Sequence, residues 1–133
     1  SENATFGLPE INVGRCGGTA HMARHVPQVL LRRMFFTGVP ITAQEAHRLG
    51  LVNHVVPQDQ VMKAAKELAR KIASKGQVAV REALRVTEHG LEQSLDAGLA
   101  AEAEAFGRVA ETQDAKEGVS AFLEKRQPKF QDR

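Results

Sequence analysis

Apolar residues recur along this chain mostly at three- and four-residue steps, which is the spacing of an amphipathic helix. Residues 58–75 show the pattern clearly, through an apolar stripe made of Val61, Ala65, Leu68, Ala69 and Ile72. The same reading predicts further helices over residues 19–26, 28–36, 42–50, 78–88, 91–112 and 114–127. The chain is therefore predicted to be mainly α-helical, with six or seven helices.

Strand signals are few. Residues 5–13 read as a short extended stretch interrupted by Gly7 and Pro9, and residues 51–56 read as a strand that Pro57 ends. So little strand cannot make an independent sheet, and the segment 51–56 has no obvious partner. We expect one or two short strands only.

Two sequence patterns predict where helices begin. Thr42 and Glu45 have the spacing of a capping box, in which the hydroxyl and the carboxylate each accept a free backbone N–H. Asp114 and Glu117 have the same spacing and are predicted to start the last helix. Gly50 is predicted to end the helix that Thr42 starts, in the left-handed conformation that favours glycine.

Composition excludes several classes of protein. The 133 residues carry 18 basic and 16 acidic side chains, a net charge of +2, and no basic run interleaved with aromatic residues, which argues against nucleic-acid binding. No apolar run reaches the roughly 18 residues of a membrane span, and we see no secretory signal. The single cysteine, Cys16, excludes a disulfide framework and suits a reducing cytoplasm.

Glu10 is the strongest candidate for chemistry. It follows Pro9, whose ring fixes one backbone angle and so restricts the direction in which the carboxylate approaches a ligand. A partly desolvated carboxylate held in this way is suited to proton transfer near neutral pH. The alternative is an ordinary surface glutamate in a turn.

Gly17 and Gly18, followed by Thr19, open a predicted helix. Their backbone N–H groups would be available to an anion or to a polarised carbonyl, although no third glycine makes a dinucleotide fingerprint. The alternative is a tight turn that only starts the helix. We do not expect these glycines to take part directly in catalysis, and we expect their turn to line a ligand pocket.

Metal and thiol chemistry have weaker support. His21 and His25 are four residues apart on one predicted helix, but no third ligand has a suitable spacing, so we predict no metal site. Cys16 lies just before a helix start, where a thiolate is favoured, yet no partner base is identifiable. We interpret Cys16 as a small buried hydrophobic residue.

Five segments together resemble the C-terminal half of the enoyl-CoA hydratase/isomerase (crotonase) family. They occur in the family's order and close to its spacing, and each one is modest alone. They are Thr5–Ile11, Gly17–Thr19, Phe36–Gly38 with Ile41–Ala46, Gly50–Asn53, and Glu117–Arg126.

The resemblance implies an α/β crotonase-like fold of which this chain is the C-terminal portion. Residues 1–57 would be the end of the spiral core, and residues 58–133 the helical region that builds trimers or dimers of trimers. It implies an acyl-CoA thioester as the substrate, syn addition of water to 2-enoyl-CoA, and no cofactor beyond the CoA of the substrate. Glu10 matches the glutamate that exchanges the C2 proton, and Phe122 and Lys125 match positions that cover the CoA end.

The departures from the family pattern leave other functions open. The segments that carry the first glutamate and the oxyanion donors are expected upstream of residue 1, so we expect little or no hydratase activity from these 133 residues alone. Arg15 and Cys16 form a loop that is shorter than the usual one. Isomerase, thioesterase, decarboxylase or ring-opening reactions remain alternatives, as does a non-catalytic module that oligomerises or binds CoA.

Overall fold

The structure is a computed structural model that describes residues 1–133. It contains seven α-helices and two short β-strands, which confirms the predicted balance of elements. The chain forms two compact units, Ser1–Ala65 and Lys66–Arg133, and each is described by itself below. The predicted division after residue 57, between the end of the spiral core and the helical region, stays a prediction.

The first unit combines both strands with three α-helices. In chain order its elements are β1 (Thr5–Phe6), a 3-10 helix (Pro9–Val13), α1 (Thr19–Met22), α2 (Gln28–Thr37), β2 (Ile41–Thr42), α3 (Ala43–Arg48) and a second 3-10 helix (Gln58–Gln60). The strands are antiparallel, with Thr5 opposite Thr42 and Phe6 opposite Ile41. The extended stretch predicted over residues 5–13 is therefore a two-residue strand followed by a 3-10 helix.

The core of the first unit lies between α2, β2 and α3. Its buried residues are Val26, Leu30, Met34, Ile41 and Ala46, and Met34 and Ala46 are fully buried. Leu30 and Met34 are four residues apart and so share one face of α2. This core supports the antiparallel pair, because Ile41 of β2 belongs to it and Phe6 of β1 packs against it.

The strand predicted over residues 51–56 does not form. Gly50 adopts a left-handed conformation (φ +78°), and its N–H donates to the carbonyl of His47 while the N–H of Leu51 donates to the carbonyl of Ala46. This is a Schellman motif, which ends α3 and uses the backbone group of Leu51 that a strand would need. Leu51 and Val52 are apolar because they pack against the core.

The two predicted capping patterns have different outcomes. Thr42 is the N-cap of α3, and its Oγ1 accepts the N–H of Glu45 at 3.2 Å, whereas the Glu45 carboxylate binds Arg33 at 2.7 Å. At the last helix the N-cap is Thr112, whose Oγ1 accepts the N–H of Ala115 at 3.0 Å, so the prediction of Asp114 as the cap was wrong.

The remaining helices are α4 (Val61–Ala73), which runs across the boundary of the two units, and α5 (Gln77–Gly90), α6 (Leu95–Ala110) and α7 (Gln113–Leu123) of the second unit. Glu82 of α5 accepts hydrogen bonds from Arg108 of α6 at 2.8 Å and from Arg85 at 2.9 Å. These bonds, Arg108 first, lower the pKa of Glu82 to about 2. No helix here combines the length and the apolar character that crossing a bilayer requires.

The segment after α7 folds back to the start of that helix. Asp114 is buried, with 6% exposure, and its carboxylate accepts the N–H of Gln131 at 2.7 Å and that of Asp132 at 2.9 Å. The N–H of Asp114 in turn donates to the carbonyl of Arg133 at 3.0 Å. Asp114 is therefore the anchor for the C-terminal segment, which also places the Phe130 ring 3.6 Å from where a Cβ atom at position 118 would lie.

Candidate active site

Glu10 lies in the first turn of the 3-10 helix Pro9–Val13. Pro9 is the first residue of that helix, where its fixed φ suits the geometry and its missing N–H has no cost. Gly14 ends the helix in a left-handed conformation (φ +69°), and the carbonyl of Glu10 accepts the N–H of Arg15 at 3.0 Å. The backbone around Glu10 is thus closed at both ends by residues suited to those positions.

The carboxylate of Glu10 is turned toward the protein. Its Oε2 atom is buried and has no hydrogen-bond partner, although residues 11–16, which follow it, are all exposed. A buried polar oxygen without a partner costs about 1–3 kcal/mol, and such groups are rare in folded proteins. This arrangement differs from that of a fully solvated carboxylate, which would have both oxygens in water, and the catalytic role of Glu10 stays a prediction.

Gly17 and Gly18 lie near different residues of this turn. A Cβ atom at position 17 would lie 3.8 Å from Oε1 and 3.9 Å from Cγ of Glu10, so Gly17 borders the carboxylate. A Cβ atom at position 18 would lie 2.8 Å from Cδ2 of Leu8, and Gly18 also has a positive φ of +70°. Gly18 is the N-cap of α1, which has only four residues.

The structure thus places Gly17 beside the Glu10 carboxylate and Gly18 beside Leu8, and the roles of both glycines at a site stay predictions. It also adds Leu8, which sequence reasoning missed. Leu8 is buried, with 7% exposure, and lies two residues before Glu10. A lone leucine in a turn carries no signal of this arrangement, and only the 2.8 Å separation between its Cδ2 atom and a Cβ atom at position 18 shows it.

Phe122 and Lys125 lie in the second unit, at the C-terminal end of α7. Phe122 has 81% exposure although it is a large apolar residue. Lys125 has a left-handed backbone (φ +55°), and its N–H donates to the carbonyl of Phe122 while the N–H of Arg126 donates to that of Ala121. This is a second Schellman motif, with lysine at the position that glycine usually takes.

The other candidates do not assemble into a site. Cys16 is exposed, so its interpretation as a buried residue was wrong. His21 lies in α1, whereas His25 follows the end of that helix. No three histidine, cysteine or acidic side chains are close enough together to hold a metal ion.

Comparison with known proteins places this geometry in context. The profile of the enoyl-CoA hydratase/isomerase family matches residues 1–133. The chain is 41% identical to the crotonyl-CoA hydratase of Syntrophomonas wolfei subsp. wolfei over 133 residues, covering 98% of this chain and 51% of that protein. It is 43% identical to the 2,3-dehydroadipyl-CoA hydratase of Escherichia coli (strain K12) over 135 residues, covering 99% and 53% respectively.

Solved structures agree with the sequence relatives. The crystal structure of an enoyl-CoA hydratase from Bacillus anthracis superimposes with a TM-score of 0.94 at 38% identity, over 99% of this chain and 52% of that one. The chain therefore spans about half the length of the relatives it matches. Taken with the buried carboxylate beside Gly17, the match over all 133 residues shows that this chain belongs to the enoyl-CoA hydratase/isomerase (crotonase) family.

Proposed function

We propose that this chain supplies the proton-transfer carboxylate and the coenzyme-covering segment of an enoyl-CoA hydratase. The observation that carries the proposal is the buried, unpartnered Oε2 of Glu10, in a carboxylate whose other oxygen, Oε1, borders Gly17. An oxygen in that state is stabilised when a proton or a substrate C–H group is presented to it. The similarity to a crotonyl-CoA hydratase and to a 2,3-dehydroadipyl-CoA hydratase supports a 2-enoyl thioester as the substrate.

The proposed reaction adds water across the C2–C3 double bond. An O–H bond of water breaks, the oxygen bonds to C3 as the C2–C3 π bond opens, and protonated Glu10 delivers its proton to C2. The proton released by water restores protonated Glu10 before the next turnover, so that no oxidant or reductant takes part. A second carboxylate would remove the proton from water, and two backbone N–H groups would stabilise the thioester oxyanion. By the family resemblance these groups belong to segments outside the 133 residues. Loss of one such N–H donor typically costs about 3–4 kcal/mol of barrier.

The C-terminal end of α7 is proposed to contact the CoA part of the substrate. Phe122 presents an exposed ring suited to stacking on an adenine, and Lys125 carries a mobile positive charge suited to phosphate. A lysine in a left-handed conformation, where glycine would be less strained, carries the kind of local cost found at functional positions.

We further propose a homo-oligomer, a trimer or a dimer of trimers, that works in the cytoplasm without a metal or redox cofactor. Exposed apolar side chains in the second unit support association, since large apolar patches are rarely left in water. They include Leu91, Leu95, Leu99, Phe106, Phe122 and Leu123.

A chimera tests the catalytic proposal. The aligned half of the Escherichia coli 2,3-dehydroadipyl-CoA hydratase is replaced by this chain, and hydration of crotonyl-CoA and of 2,3-dehydroadipyl-CoA is followed by loss of the enoyl-thioester absorbance. We expect turnover, and we expect Glu10→Gln to lower kcat by about 10²–10⁴-fold, the usual contribution of general acid–base catalysis.

The matched control is Glu2→Gln, which changes an exposed glutamate of the same unit and should leave kcat unchanged. A folded chimera without turnover, or a Glu10→Gln chimera as active as its parent, would contradict the proposal. The 133 residues alone are expected to show little or no hydration.

A different crotonase reaction has support from one observation. Only Arg15 and Cys16 separate Gly14 from Gly17, and Gly17, which follows this short loop, borders the Glu10 carboxylate. A panel of acyl-CoA thioesters, assayed for isomerisation, hydrolysis and decarboxylation with the same chimera, distinguishes these reactions. A non-catalytic module would instead give oligomers by light scattering, whether or not CoA binds, and no turnover with any thioester.

A further inference from the structure

The direction of the Glu10 side chain is not set by a hydrogen bond to its buried oxygen, since Oε2 has no partner. Its direction therefore depends on the backbone of the 3-10 helix Pro9–Val13 and on the side chains packed against that helix. The residue before the helix is Leu8, which is its N-cap and is buried.

Leu8 fills the space that a side chain at position 18 would need. The 2.8 Å separation between Cδ2 of Leu8 and a Cβ atom at position 18 is shorter than any real carbon contact, so one of the two would have to move. Because Leu8 is buried, it cannot swing freely into solvent. Pro9 follows with a fixed φ, so a displacement of Leu8 passes along a stiff backbone to Glu10.

The two glycines therefore have separate effects on one turn. Gly17 faces the Glu10 carboxylate at ordinary van der Waals distance, and a methyl group there would fit. Gly18 faces Leu8, which lies two residues before Glu10, and a methyl group at position 18 would force the Cδ2 atom of Leu8 to shift. The consecutive pair thus contacts the turn on both sides of Pro9.

We propose that Leu8 and Gly18 form a positioning contact that aims the Glu10 carboxylate. Gly18 then acts on the site through Leu8, as a positioning residue, and not as a substrate contact. The catalytic meaning of this contact rests on the function proposed above, but the contact itself is measured without any acyl-CoA.

The test uses the isotopically labelled 133-residue chain and the NOE between the γ protons of Glu10 and the α protons of Gly17. These groups face each other, since a Cβ atom at position 17 would lie 3.9 Å from Cγ of Glu10. We expect Gly18→Ala to lose this cross-peak. We expect the double variant Gly18→Ala with Leu8→Val, which removes the Cδ2 atom, to regain it. Gly50→Ala is the matched control, because Gly50 has a similar positive φ (+78°) and no atom near its missing Cβ.

Several outcomes would overturn the proposal. One is a Gly18→Ala chain that keeps the cross-peak, and another is a double variant that fails to regain it while Gly50→Ala keeps it. If Gly18→Ala unfolds the first unit, refolding of the double variant with the cross-peak restored supports the proposal, and continued unfolding contradicts it.

In the chimera, Gly18→Ala should lower kcat by about 10²-fold with little change in KM, as for a misplaced catalytic group. If the cross-peak is lost in Gly18→Ala and regained in the double variant, but the chimera shows no turnover, then the proposed function fails and this inference stands.

Discussion

Arg126 binds Glu117 through two contacts, Nη1 to Oε1 at 2.5 Å and Nη2 to Oε2 at 2.9 Å. Oε1 of Glu117 also accepts the N–H of Lys129 at 2.7 Å. Together these bonds, with that of Arg126 the stronger cause, lower the pKa of Glu117 to about 2 from its ordinary value of 4.5. One carboxylate thus connects α7 with the chain on both sides of Pro128.

This pair predicts the acid sensitivity of the second unit. A carboxylate whose pKa is lower in the folded state adds stability above its unfolded pKa and loses it as the pH falls through the folded value. We expect the contribution of Glu117 to be complete above pH 4.5 and to disappear as the pH falls toward about 2. Urea unfolding of Glu117→Gln, followed by circular dichroism at several pH values, should show a smaller acid-induced loss of stability. Glu67→Gln, an exposed control on α4, should keep the loss found in the parent chain.

Asp114→Asn should destabilise the second unit by about 1–3 kcal/mol. The amide keeps one oxygen but presents an NH₂ group to a backbone N–H that needs an acceptor, which leaves a buried donor unsatisfied. Urea unfolding measures the change, and faster hydrogen exchange at Gln131 and Asp132 locates it.

The control for Asp114 is Asp96→Asn. Asp96 occupies the same second position of its helix, α6, but it is exposed, so the substitution changes the helix-dipole interaction alone. Equal losses from both substitutions would show that the C-terminal segment gains nothing from Asp114.

Lys125→Gly should raise the stability of the second unit by about 1 kcal/mol, since glycine adopts the left-handed conformation without strain. Lys125→Ala removes the same charge but keeps the strain, so it should give no such gain. Thermal unfolding compares the two variants with the parent. If the coenzyme contact proposed above is real, both should weaken CoA binding in the chimera, and unchanged affinity would remove Lys125 from the site.

Met34→Ala should cost about 2–5 kcal/mol in the first unit, because Met34 is fully buried and its truncation leaves a cavity. Met62→Ala makes the same change at a side chain with 64% exposure and should cost far less. Denaturant unfolding followed by circular dichroism gives both values. Similar losses at the two positions would mean that the core around α2 is not the main support of that unit.

Local signals in the sequence predicted much of this fold. The helical spacing of apolar residues identified the helices, and Thr42 and Gly50 marked both ends of α3, because caps depend on neighbours within a few residues. Pro9 likewise marked the turn that holds Glu10. The strand proposed for residues 51–56 failed because an apolar run reads the same whether it pairs in a sheet or packs after a Schellman motif.

Contacts between distant positions were beyond sequence reasoning. Asp114 looked like a helix cap, and only the return of Gln131 and Asp132, 17 and 18 residues later, explains its burial. The proximity of Leu8 to position 18 is of the same kind. Nothing in the sequence near Leu8 shows that its side chain occupies the space left by the missing side chain of Gly18. The resemblance predicts Glu10, Phe122 and Lys125 as site positions, and the structure adds the buried oxygen of Glu10 and the left-handed backbone of Lys125.

The C-terminal segment has a consequence for the dynamics of α7. A helix usually frays from its termini, where backbone groups lack partners. Here Arg126 closes one terminus through the carbonyl of Ala121, and Arg133 accepts the N–H of Asp114 at the other. Residues that follow α7 thus form hydrogen bonds at both of its ends. We therefore expect little fraying of its terminal turns and cooperative unfolding of the whole helix.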